Sequence, residues 1–379
     1  MEVAKRLHSV EEYYFSKKLK EVNRLITQGK PIINLGIGSP DMQPPEKVIT
    51  AIAESFKDNN AHKYQGYQGL LELREAIASF YKAHFNVSFN AAAEVLPLMG
   101  SKEGIMHISM AFLNEGDAVL IPNPGYPTYT SVTKLLQAEP IFYNLDENNK
   151  WCPNIAKLEK QDLSKVKIMW LNYPHMPTGA KATHEVFKKV IAFAKIHDIL
   201  LVNDNPYSFI LNKEPISIFS VDGSKSHCLE LNSLSKTFNM AGWRVGMLLG
   251  NQELLNAVLK VKSNMDSGMF YGIQKGAIEA LKTSKKWFTS INNTYEQRRK
   301  LIFKLATKLH CSFDRNSSGL FVWAKLPSGI KSEAFINKLL IEQNIFITPG
   351  TIFGSQGEGY VRFSLCATTQ EIEKAIARV

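Results

Sequence analysis

The chain is poor in cysteine, with only four among its 379 residues. These four, Cys152, Cys228, Cys311 and Cys366, lie far apart and form no Cys-x-x-Cys pair. Neither a disulfide framework nor a zinc cluster is indicated by such spacing. The sequence therefore predicts a reducing compartment, the cytoplasm, and no metal site.

Long apolar runs are also missing. Residues 1–11 mix charges with short apolar stretches, whereas a signal peptide needs an apolar core of about 7 to 15 residues. No run approaches the roughly 18 apolar residues of a membrane span. Glycine and proline, at 23 and 16 residues, exclude collagen-like and low-complexity architectures. We expect neither export nor a membrane partner.

Positive charge is present in modest excess, with 45 Lys and Arg against 35 Asp and Glu, a formal net charge of +10. The basic clusters, such as Lys188-Lys189 and Arg298-Arg299-Lys300, fall within helical patterns and are not interleaved with aromatic residues. A nucleic-acid groove requires that interleaving. The charge therefore predicts attraction of small anionic substrates rather than nucleic-acid binding.

Short apolar segments alternate with helical periodicity through the middle of the chain. The predicted helices include residues 70–84, 102–113 and 184–197, and the predicted strands are 94–99, 118–121, 140–145, 166–171, 199–202, 227–231 and 245–249. This alternation is typical of a mostly parallel sheet covered by helices on both faces. It predicts an α/β fold with one large domain over residues 43–283.

The pattern changes after Ser284. The last hundred residues predict two helices and three strands, at 286–309, 319–325, 332–343, 345–348 and 360–365. We expect a smaller α+β domain here, completed by an N-terminal helix over residues 10–27. This domain is discontinuous in sequence and comprises residues 1–42 and 284–379. A ligand cleft is expected where the two domains meet, at the carboxyl ends of the parallel strands.

The most informative segment runs from Asn232 to Gly246. It places Lys236 directly after a predicted strand, next to Ser233 and Ser235, with Arg244 eight residues later. A lysine amine can form a Schiff base with an aldehyde, and hydroxyls with a guanidinium suit a phosphate dianion. A solvated loop lysine is the alternative if this segment is considered alone.

Three other segments favour the chemical interpretation. Asp204 follows a predicted strand, where a carboxylate can pair with a cationic ring nitrogen. Ser101 and Lys102 open a predicted helix after Gly100, and the free N–H groups of such a helix start bind anions. Arg362 lies in an apolar strand, where its charge needs a partner such as a carboxylate.

Together these segments resemble the class I and II aminotransferases, which are pyridoxal-phosphate enzymes of fold type I. The resemblance rests on Ser-x-Ser-Lys ending at Lys236 and on Gly-x-Arg-x-Gly around Arg244, and it extends over nearly the whole chain. It implies transfer of an amino group from an L-amino acid to a 2-oxo acid. It also implies that Lys236 carries pyridoxal 5'-phosphate as a Schiff base and moves the proton between substrate and cofactor.

The resemblance assigns cofactor contacts residue by residue. It implies that Asp204 pairs with the pyridine nitrogen, that Tyr207 bonds the phenolic oxygen, and that Tyr126 stacks on the ring. The phosphate contacts that it implies are Ser101, Lys102, Ser233, Ser235 and Arg244.

The remaining assignments concern the substrate and a second subunit. The resemblance implies that Arg362 binds the substrate carboxylate and that Gly38 belongs to a segment that closes over the substrate. Tyr64, with Gly69 and Arg74 at the expected spacing, matches a tyrosine that reaches the phosphate of the neighbouring subunit. A homodimer with shared active sites is therefore expected.

One position departs from the family. Met176 stands where the family has an asparagine that bonds the phenolic oxygen. A thioether donates no hydrogen bond, so the phenolate loses one partner and the pKa of the lysine Schiff base is expected to rise. His175 and Asn172 are the candidates to compensate, and we count Asn172 among the cofactor contacts.

The substrate is less well specified by the sequence. The segment from Ser233 to Arg244 is similar to that of the LL-diaminopimelate aminotransferases, yet residues 64–69 carry no acid to meet a distal ammonium. A side-chain carboxylate would need a second cation, for which Lys102 and Lys262 are candidates. A lyase of the same fold, acting on a β-C–S bond or as a decarboxylase, remains the alternative, followed by a non-catalytic regulator.

Overall fold

The computed structural model describes residues 1–10, 12 and 14–379. Within these residues the strands are β1 (Ile33–Asn34), β2 (Val95–Leu98), β3 (Ala118–Asn123), β4 (Glu139–Asn144), β5 (Val166–Leu171), β6 (Leu200–Asp204), β7 (Cys228–Ser233), β8 (Gly246–Gly250), β9 (Ser312–Phe313), β10 (Phe321–Lys325), β11 (Ile345–Phe346), β12 (Thr348–Pro349) and β13 (Tyr360–Ser364).

The α-helices are α1 (Tyr14–Thr27), α2 (Glu46–Ser55), α3 (Leu71–Phe85), α4 (Ser101–Phe112), α5 (Pro127–Leu135), α6 (Ile155–Leu158), α7 (His184–Ile196), α8 (Leu234–Thr237), α9 (Gln252–Lys262), α10 (Tyr271–Leu281), α11 (Lys285–Lys308), α12 (Ser332–Gln343) and α13 (Thr369–Arg378). Among the described residues, none of these helices combines the length and apolar character needed to cross a membrane. The predicted helix over 10–27 begins at Tyr14, and residues 11 and 13 lie outside the described residues.

Seven strands form one sheet in the order β2-β8-β7-β6-β5-β3-β4. Strand β8 is antiparallel to β2 and β7, while the other neighbouring strands are parallel. All residues of β3, β6 and β7 are buried, as expected for strands covered on both faces. The predicted α/β fold with a mostly parallel sheet is confirmed.

Two apolar cores lie on opposite faces of this sheet. Alternate side chains of β5 enter different cores, because successive residues of a strand point to opposite faces. Ile168 and Trp170 pack with residues of α4, α5 and α9, whereas Met169 and Leu171 pack with residues of α3, α7 and α10. The helices therefore cover both faces, and the carboxyl ends of the strands stay accessible at one edge.

A second, antiparallel sheet of four strands has the order β12-β13-β10-β9. Its core includes Ile302 of α11, Ile336 of α12 and Ile372 of α13. The predicted strand over 345–348 is divided between two sheets. Residues 345 and 346 pair in parallel with β1, and Thr348 pairs with Arg362 of β13.

The N-terminal helix packs against this C-terminal part of the chain. Val22 of α1 contacts Leu340 of α12 and Phe346 of β11 in a small apolar cluster. The two ends of the chain thus meet, as the sequence pattern suggests. The exact division into domains over 43–283 and over 1–42 with 284–379 stays a prediction.

A buried ion pair joins the end of α9 to the loop that follows it. The Lys262 amine lies 2.8 and 2.9 Å from the two carboxylate oxygens of Asp266, and the two side chains are 1% and 6% exposed. Asp266 also accepts a hydrogen bond from the Gly268 N–H at 2.8 Å. The lysine therefore neutralises a carboxylate that is fixed inside the protein.

We predict that Lys262→Met lowers the free energy of unfolding by about 3 kcal/mol, because it leaves the Asp266 carboxylate buried without its cation. The matched control is Lys282→Met, since Lys282 pairs with Glu279 at 2.8 Å but its side chain is 62% exposed. An exposed pair contributes little to stability. Urea unfolding measures both variants, and equal losses would contradict the assigned difference.

Candidate active site

A cavity of about 400 Å³ opens at the carboxyl ends of the parallel strands. Residues at or just after the ends of β5, β6 and β7 line it, together with residues of β10 and β13 from the second sheet. Its lining includes twelve of the residues that the sequence assigns to the site: Gly38, Ser101, Lys102, Tyr126, Asn172, Asp204, Tyr207, Ser233, Ser235, Lys236, Arg244 and Arg362. The structure thus brings together segments that are distant in sequence.

Lys236 lies in the short helix α8, directly after β7. Its Nζ atom donates a hydrogen bond to the carbonyl oxygen of Gly38 at 2.7 Å. Burial lowers the pKa of the Lys236 amine, and the nearby cations Arg362 and Arg244 also lower it. A lower pKa increases the fraction of neutral amine, which is the nucleophilic form.

Two glycines beside the cavity, Gly36 and Gly38, lie too close to aromatic rings to carry side chains. A Cβ atom on Gly38 would lie 2.2 Å from the Phe321 ring, and one on Gly36 would lie 2.6 Å from the Phe346 ring. The Gly36 carbonyl accepts hydrogen bonds from Arg362 and Thr348, both at 2.9 Å. The Gly38 carbonyl is therefore held in place next to the Lys236 amine.

Asp204 ends strand β6 and is buried. Its Oδ2 atom accepts a hydrogen bond from the Tyr129 hydroxyl at 2.9 Å, whereas its buried Oδ1 atom has no hydrogen-bond partner among the described residues. Burial raises the pKa of Asp204 to about 7, the Tyr129 bond opposes this rise, and the Glu230 carboxylate adds to it. A cationic N–H donor placed in the cavity would satisfy Oδ1 and favour the ionised carboxylate.

Tyr129 is not among the predicted site residues, although its hydroxyl holds the carboxylate of Asp204. Its ring stacks on that of Trp170, with centroids 4.8 Å apart and an interplanar angle of 7°. Tyr126 lies three residues earlier and contacts the Tyr129 ring edge-on at 5.6 Å. Pro127 at the first position of α5 and the three-residue spacing of the tyrosines were the available signals.

An anion-binding cup forms at the start of α4, next to Arg244. A Cβ atom on Gly100 would lie 2.2 Å from Nη2 of Arg244, and one on Gly246 would lie 2.6 Å from the backbone nitrogen of Ser101. Gly100 also has a φ of +92°, which favours glycine. The guanidinium and the helix N-terminus therefore converge because these two positions have no side chain.

Two hydroxyls and a further cation belong to the same cup. The hydroxyl oxygens of Ser233 and Ser235 lie 2.8 Å apart, and both residues are buried. Burial lowers the pKa of Lys102, and the positive charge of Arg244 lowers it further. Lys102 and Arg244 are exposed at the open side of the cavity. A phosphate dianion matches this combination of donors and charges.

Arg362 lies on β13 at the other end of the cavity and is buried among aromatic rings. Its guanidinium carbon is 3.8 Å from the centroid of the Phe321 ring, 4.7 Å from that of Phe353 and 5.5 Å from that of Phe15. Stacking of this kind holds the planar guanidinium in one orientation. A carboxylate in the cavity can then bind it through two parallel hydrogen bonds.

The side chain of Met176 contacts the guanidinium of Arg362. Nη1 of Arg362 lies 3.3 Å from the Met176 sulfur. His175 does not line the cavity, and its Nδ1 atom is 2.8 Å from Oγ1 of Thr178. The Asn172 amide donates to the Asp204 carbonyl at 2.5 Å and accepts from the Met176 N–H at 2.9 Å. Only Asn172 therefore keeps the compensating role, which stays a prediction.

Two residues considered in the sequence analysis lie elsewhere. Tyr64 is 91% exposed on the surface and does not line the cavity. A role in a neighbouring subunit would require this exposure. The suggestion that Lys262 meets a substrate carboxylate is wrong, because its amine is paired with Asp266 outside the cavity. Lys102 does line the cavity, but within the anion-binding cup.

Comparison with known proteins agrees with this geometry. Residues 30–379 match the family described as aminotransferase class I and II. The chain is 38% identical over 380 residues to LL-diaminopimelate aminotransferases of Maridesulfovibrio salexigens and of Aquifex aeolicus, covering 100% of this chain and 98% of each relative. Substrate-bound BacF from Bacillus subtilis superposes with a TM-score of 0.95 at 34% identity, covering 100% of this chain and 97% of BacF.

The fold and the comparisons define a pyridoxal-phosphate enzyme of fold type I. More particularly, the chain belongs to the class I and II aminotransferases, and it is a transaminase.

The residues present fit pyridoxal phosphate, the cofactor that this family implies. The buried Oδ1 of Asp204 needs a donor, which a protonated pyridine nitrogen would be. The space kept open by Gly100 and Gly246 places Arg244 and the start of α4 around a phosphate-sized opening. Both features lie in the lining of one cavity with the amine of Lys236.

We predict that burial of Asp204 makes the cofactor-free protein less stable as the pH rises. The folded pKa is about 7 against a reference value of 3.8, so the folded state binds more protons between these values. The free energy of unfolding should then fall from pH 4 to 7 by on the order of 4 kcal/mol more than in Asp204→Asn. Urea unfolding at several pH values measures this difference, and equal slopes for the two proteins would contradict it.

We also predict that Gly100→Ala weakens pyridoxal-phosphate binding by at least about tenfold, because the new methyl group displaces the Arg244 guanidinium. Gly116→Ala is the control, since Gly116 has a similar φ of +84° but no atom within 4 Å of its Cβ position. Titration of the cofactor-free variants with pyridoxal phosphate measures the affinities. Similar losses in both variants would show that backbone strain, and not the cup, is responsible.

Proposed function

We propose that this transaminase uses Lys236 to hold pyridoxal 5'-phosphate and to move the proton of the substrate's α-carbon. The observation that carries the proposal is the position of the Lys236 amine in one cavity with an anion-binding cup, a buried carboxylate and a guanidinium. When bound, the cofactor supplies an electron sink that allows the bond between hydrogen and the α-carbon to break. The protein then needs to bind and orient the substrate and to move its proton.

Arg362 and the segment around Gly38 orient the substrate. The guanidinium of Arg362 binds the α-carboxylate of the amino acid and later that of the 2-oxo acid. Its position is fixed by the Phe321 ring and by the Gly36 carbonyl. Gly36 follows β1 in the same segment as Gly38. Because Arg362 bonds the Gly36 carbonyl, Arg362 links carboxylate binding to the position of this segment. That link supports the predicted closure of the segment over the substrate.

Lys236 serves as the proton carrier. Its Nζ atom is held 2.7 Å from the Gly38 carbonyl, so the amine has a defined position when it is not bonded to the cofactor. Burial and the two arginines favour its neutral form, which accepts a proton as a general base. Tyr207 is buried in the cavity wall and its pKa is raised, mainly by burial. It therefore stays protonated and is assigned to donate to the phenolic oxygen of the cofactor.

Asp204 keeps the ring nitrogen protonated in this proposal. Its Oδ2 is fixed by Tyr129, and its backbone carbonyl is fixed by Asn172. The remaining oxygen, Oδ1, is assigned to the ring N–H, and Tyr126 is assigned to the face of the ring. Both Tyr126 and Asp204 line the cavity.

We further propose a homodimer with shared active sites. An apolar surface formed by Phe56, Tyr64, Tyr67, Met265 and Phe270 is exposed. Two contacts lie within this region: the Phe56 and Phe270 rings are 5.7 Å apart, and the backbone carbonyl of Gln65 lies against Gly268. A second copy of the chain would cover this surface. Tyr64 could then reach the open side of the partner's anion-binding cup.

The comparisons support amino transfer over the lyase alternative, since the curated relatives are named aminotransferases. Their names suggest LL-diaminopimelate as a substrate. The four cysteines are free among the described residues, which supports the proposed cytoplasmic location.

The test of the proposal is Lys236→Ala beside the wild type. The variant should lose the covalent link to the cofactor, and its turnover should fall by about 10⁴-fold because no other side chain replaces the general base. Borohydride reduction followed by peptide mass spectrometry should find the cofactor on residue 236 in the wild type only. Lys304→Ala, at an exposed position of α11, is the control.

Addition of one amino acid without a 2-oxo acid separates the two reactions. Amino transfer predicts a single conversion of the cofactor's visible absorbance, with one equivalent of 2-oxo acid released. Continued release of pyruvate or carbon dioxide would instead identify a lyase. Modification of a lysine other than Lys236 would overturn the assignment of that residue.

A further inference from the structure

The charged side chains that line the cavity all have tasks at the cofactor or at the α-carboxylate. Among the described residues they are Lys102, Asp204, Lys236, Arg244 and Arg362. Lys102 and Arg244 belong to the anion-binding cup, and Arg362 faces the position proposed for the α-carboxylate. Asp204 and Lys236 serve the cofactor ring. No described charged group is left in this lining for the side chain of the substrate.

The walls around Arg362 are apolar. Phe15, Phe321 and Phe353 surround its guanidinium, and the Met176 sulfur contacts Nη1. Leu19 of α1 and Ile37 continue the same lining. A side chain that extends from an α-carbon held by Arg362 would therefore contact rings, methyl groups and a thioether.

A neighbouring cavity shares Tyr126 and Phe353 with this one and contains an acid, Glu12, and two cations, Lys17 beside Glu12 and the exposed Lys134. That carboxylate is already bound, because it accepts hydrogen bonds from Lys20 at 2.7 Å and from Ser16 at 2.6 Å. Glu12 is therefore no open counter-charge for a distal ammonium.

A second copy of the chain would supply no acid from residues 64–69, and the cation just before them, Lys63, is bonded to Asn60 at 3.3 Å. Residues 64–69 read Tyr-Gln-Gly-Tyr-Gln-Gly and contain neither an acid nor a base. Asp266, in the adjacent loop, is neutralised by Lys262 inside the protein. The proposed dimer therefore brings no acid from these residues that could meet a distal ammonium.

We infer that the amino donor is an α-amino acid with an uncharged, apolar side chain. The inference rests on the proposed function, because it takes Arg362 as the carboxylate site. It differs from the substrate named for the relatives, since LL-diaminopimelate carries a second ammonium and a second carboxylate. A charge buried among these walls would lose its hydration without gaining a partner. Each well-placed methylene, in contrast, changes specificity by about 10- to 200-fold.

The first test measures binding of unreactive acids to the wild-type holoenzyme by calorimetry. The probes are 3-phenylpropionate, glutarate and 6-aminohexanoate, which share one carboxylate and differ in the other end. We expect 3-phenylpropionate to bind at least about tenfold more tightly than either charged probe. Equal or tighter binding of glutarate or 6-aminohexanoate would overturn the inference.

A designed change of charge provides the second test. Leu19→Arg places a cation in the apolar wall and should tighten glutarate binding about tenfold while weakening that of 3-phenylpropionate. Ile26→Arg is the matched control, because Ile26 lies on the same helix, is 48% exposed and does not line the cavity. Unchanged preferences in Leu19→Arg would show that the side chain of the donor does not reach this wall.

The third test distinguishes failure of the inference from failure of the proposed function. L-Phenylalanine and L-leucine are compared with L-glutamate and LL-diaminopimelate in single conversions of the bound cofactor. Faster conversion of the charged donors would overturn the inference while amino transfer stands. Binding of 3-phenylpropionate without conversion of any donor would overturn the proposed function. The relative affinities of the three acids, measured by calorimetry, would still show whether the cavity favours an apolar or a charged group.

Discussion

The buried carboxylate of Asp204 is the constraint on which the site depends. Taking a carboxylate out of water is costly unless hydrogen bonds and a counter-charge replace its hydration. The structure supplies one such hydrogen bond, which the hydroxyl of Tyr129 donates to Oδ2 of Asp204. That hydroxyl is itself positioned because its ring stacks on Trp170 in the core. The remaining buried oxygen, Oδ1, has no partner among the described residues, and the ring nitrogen of the proposed cofactor would supply the cationic donor that it needs.

The two ends of the chain meet at the same cavity through short contacts. The Gly38 carbonyl accepts from Lys236, and the Gly36 carbonyl accepts from Arg362. Farther along the segment, the Asp41 carboxylate forms a bidentate pair with Arg298 at 2.6 and 2.7 Å. The segment that follows β1 is thus tied to both sheets. Movement of the smaller sheet with a bound carboxylate would reach the lysine through two carbonyl groups that lie two residues apart, those of Gly36 and Gly38.

Much of this arrangement follows from local sequence. Alternating apolar runs are enough to predict the parallel sheet, and a lysine after a strand end marks the cavity, because strands of one sheet end at one edge. Contacts set by the tertiary fold are not visible in this way. Tyr129 and Phe353 reach the site from elements whose positions the sequence does not specify, and Lys262 has a partner only four residues away that helical spacing could have suggested. The predicted strand over 345–348 divides because two different sheets compete for its backbone groups.

Similarity to the named relatives says more about the cofactor end of the cavity than about the end that meets the side chain of the substrate. The motifs that carry the resemblance, around Lys236, Arg244 and Asp204, all belong to the proposed cofactor end of the cavity. In the proposed function the side chain of the substrate meets different residues, among them Met176, whose sulfur contacts Arg362. An amide at that position would compete for the Arg362 guanidinium as a strong acceptor, whereas a thioether is a weak one. In the proposed function Arg362 binds a carboxylate inside an apolar enclosure, and shape and hydrophobic contact set the specificity beyond that carboxylate.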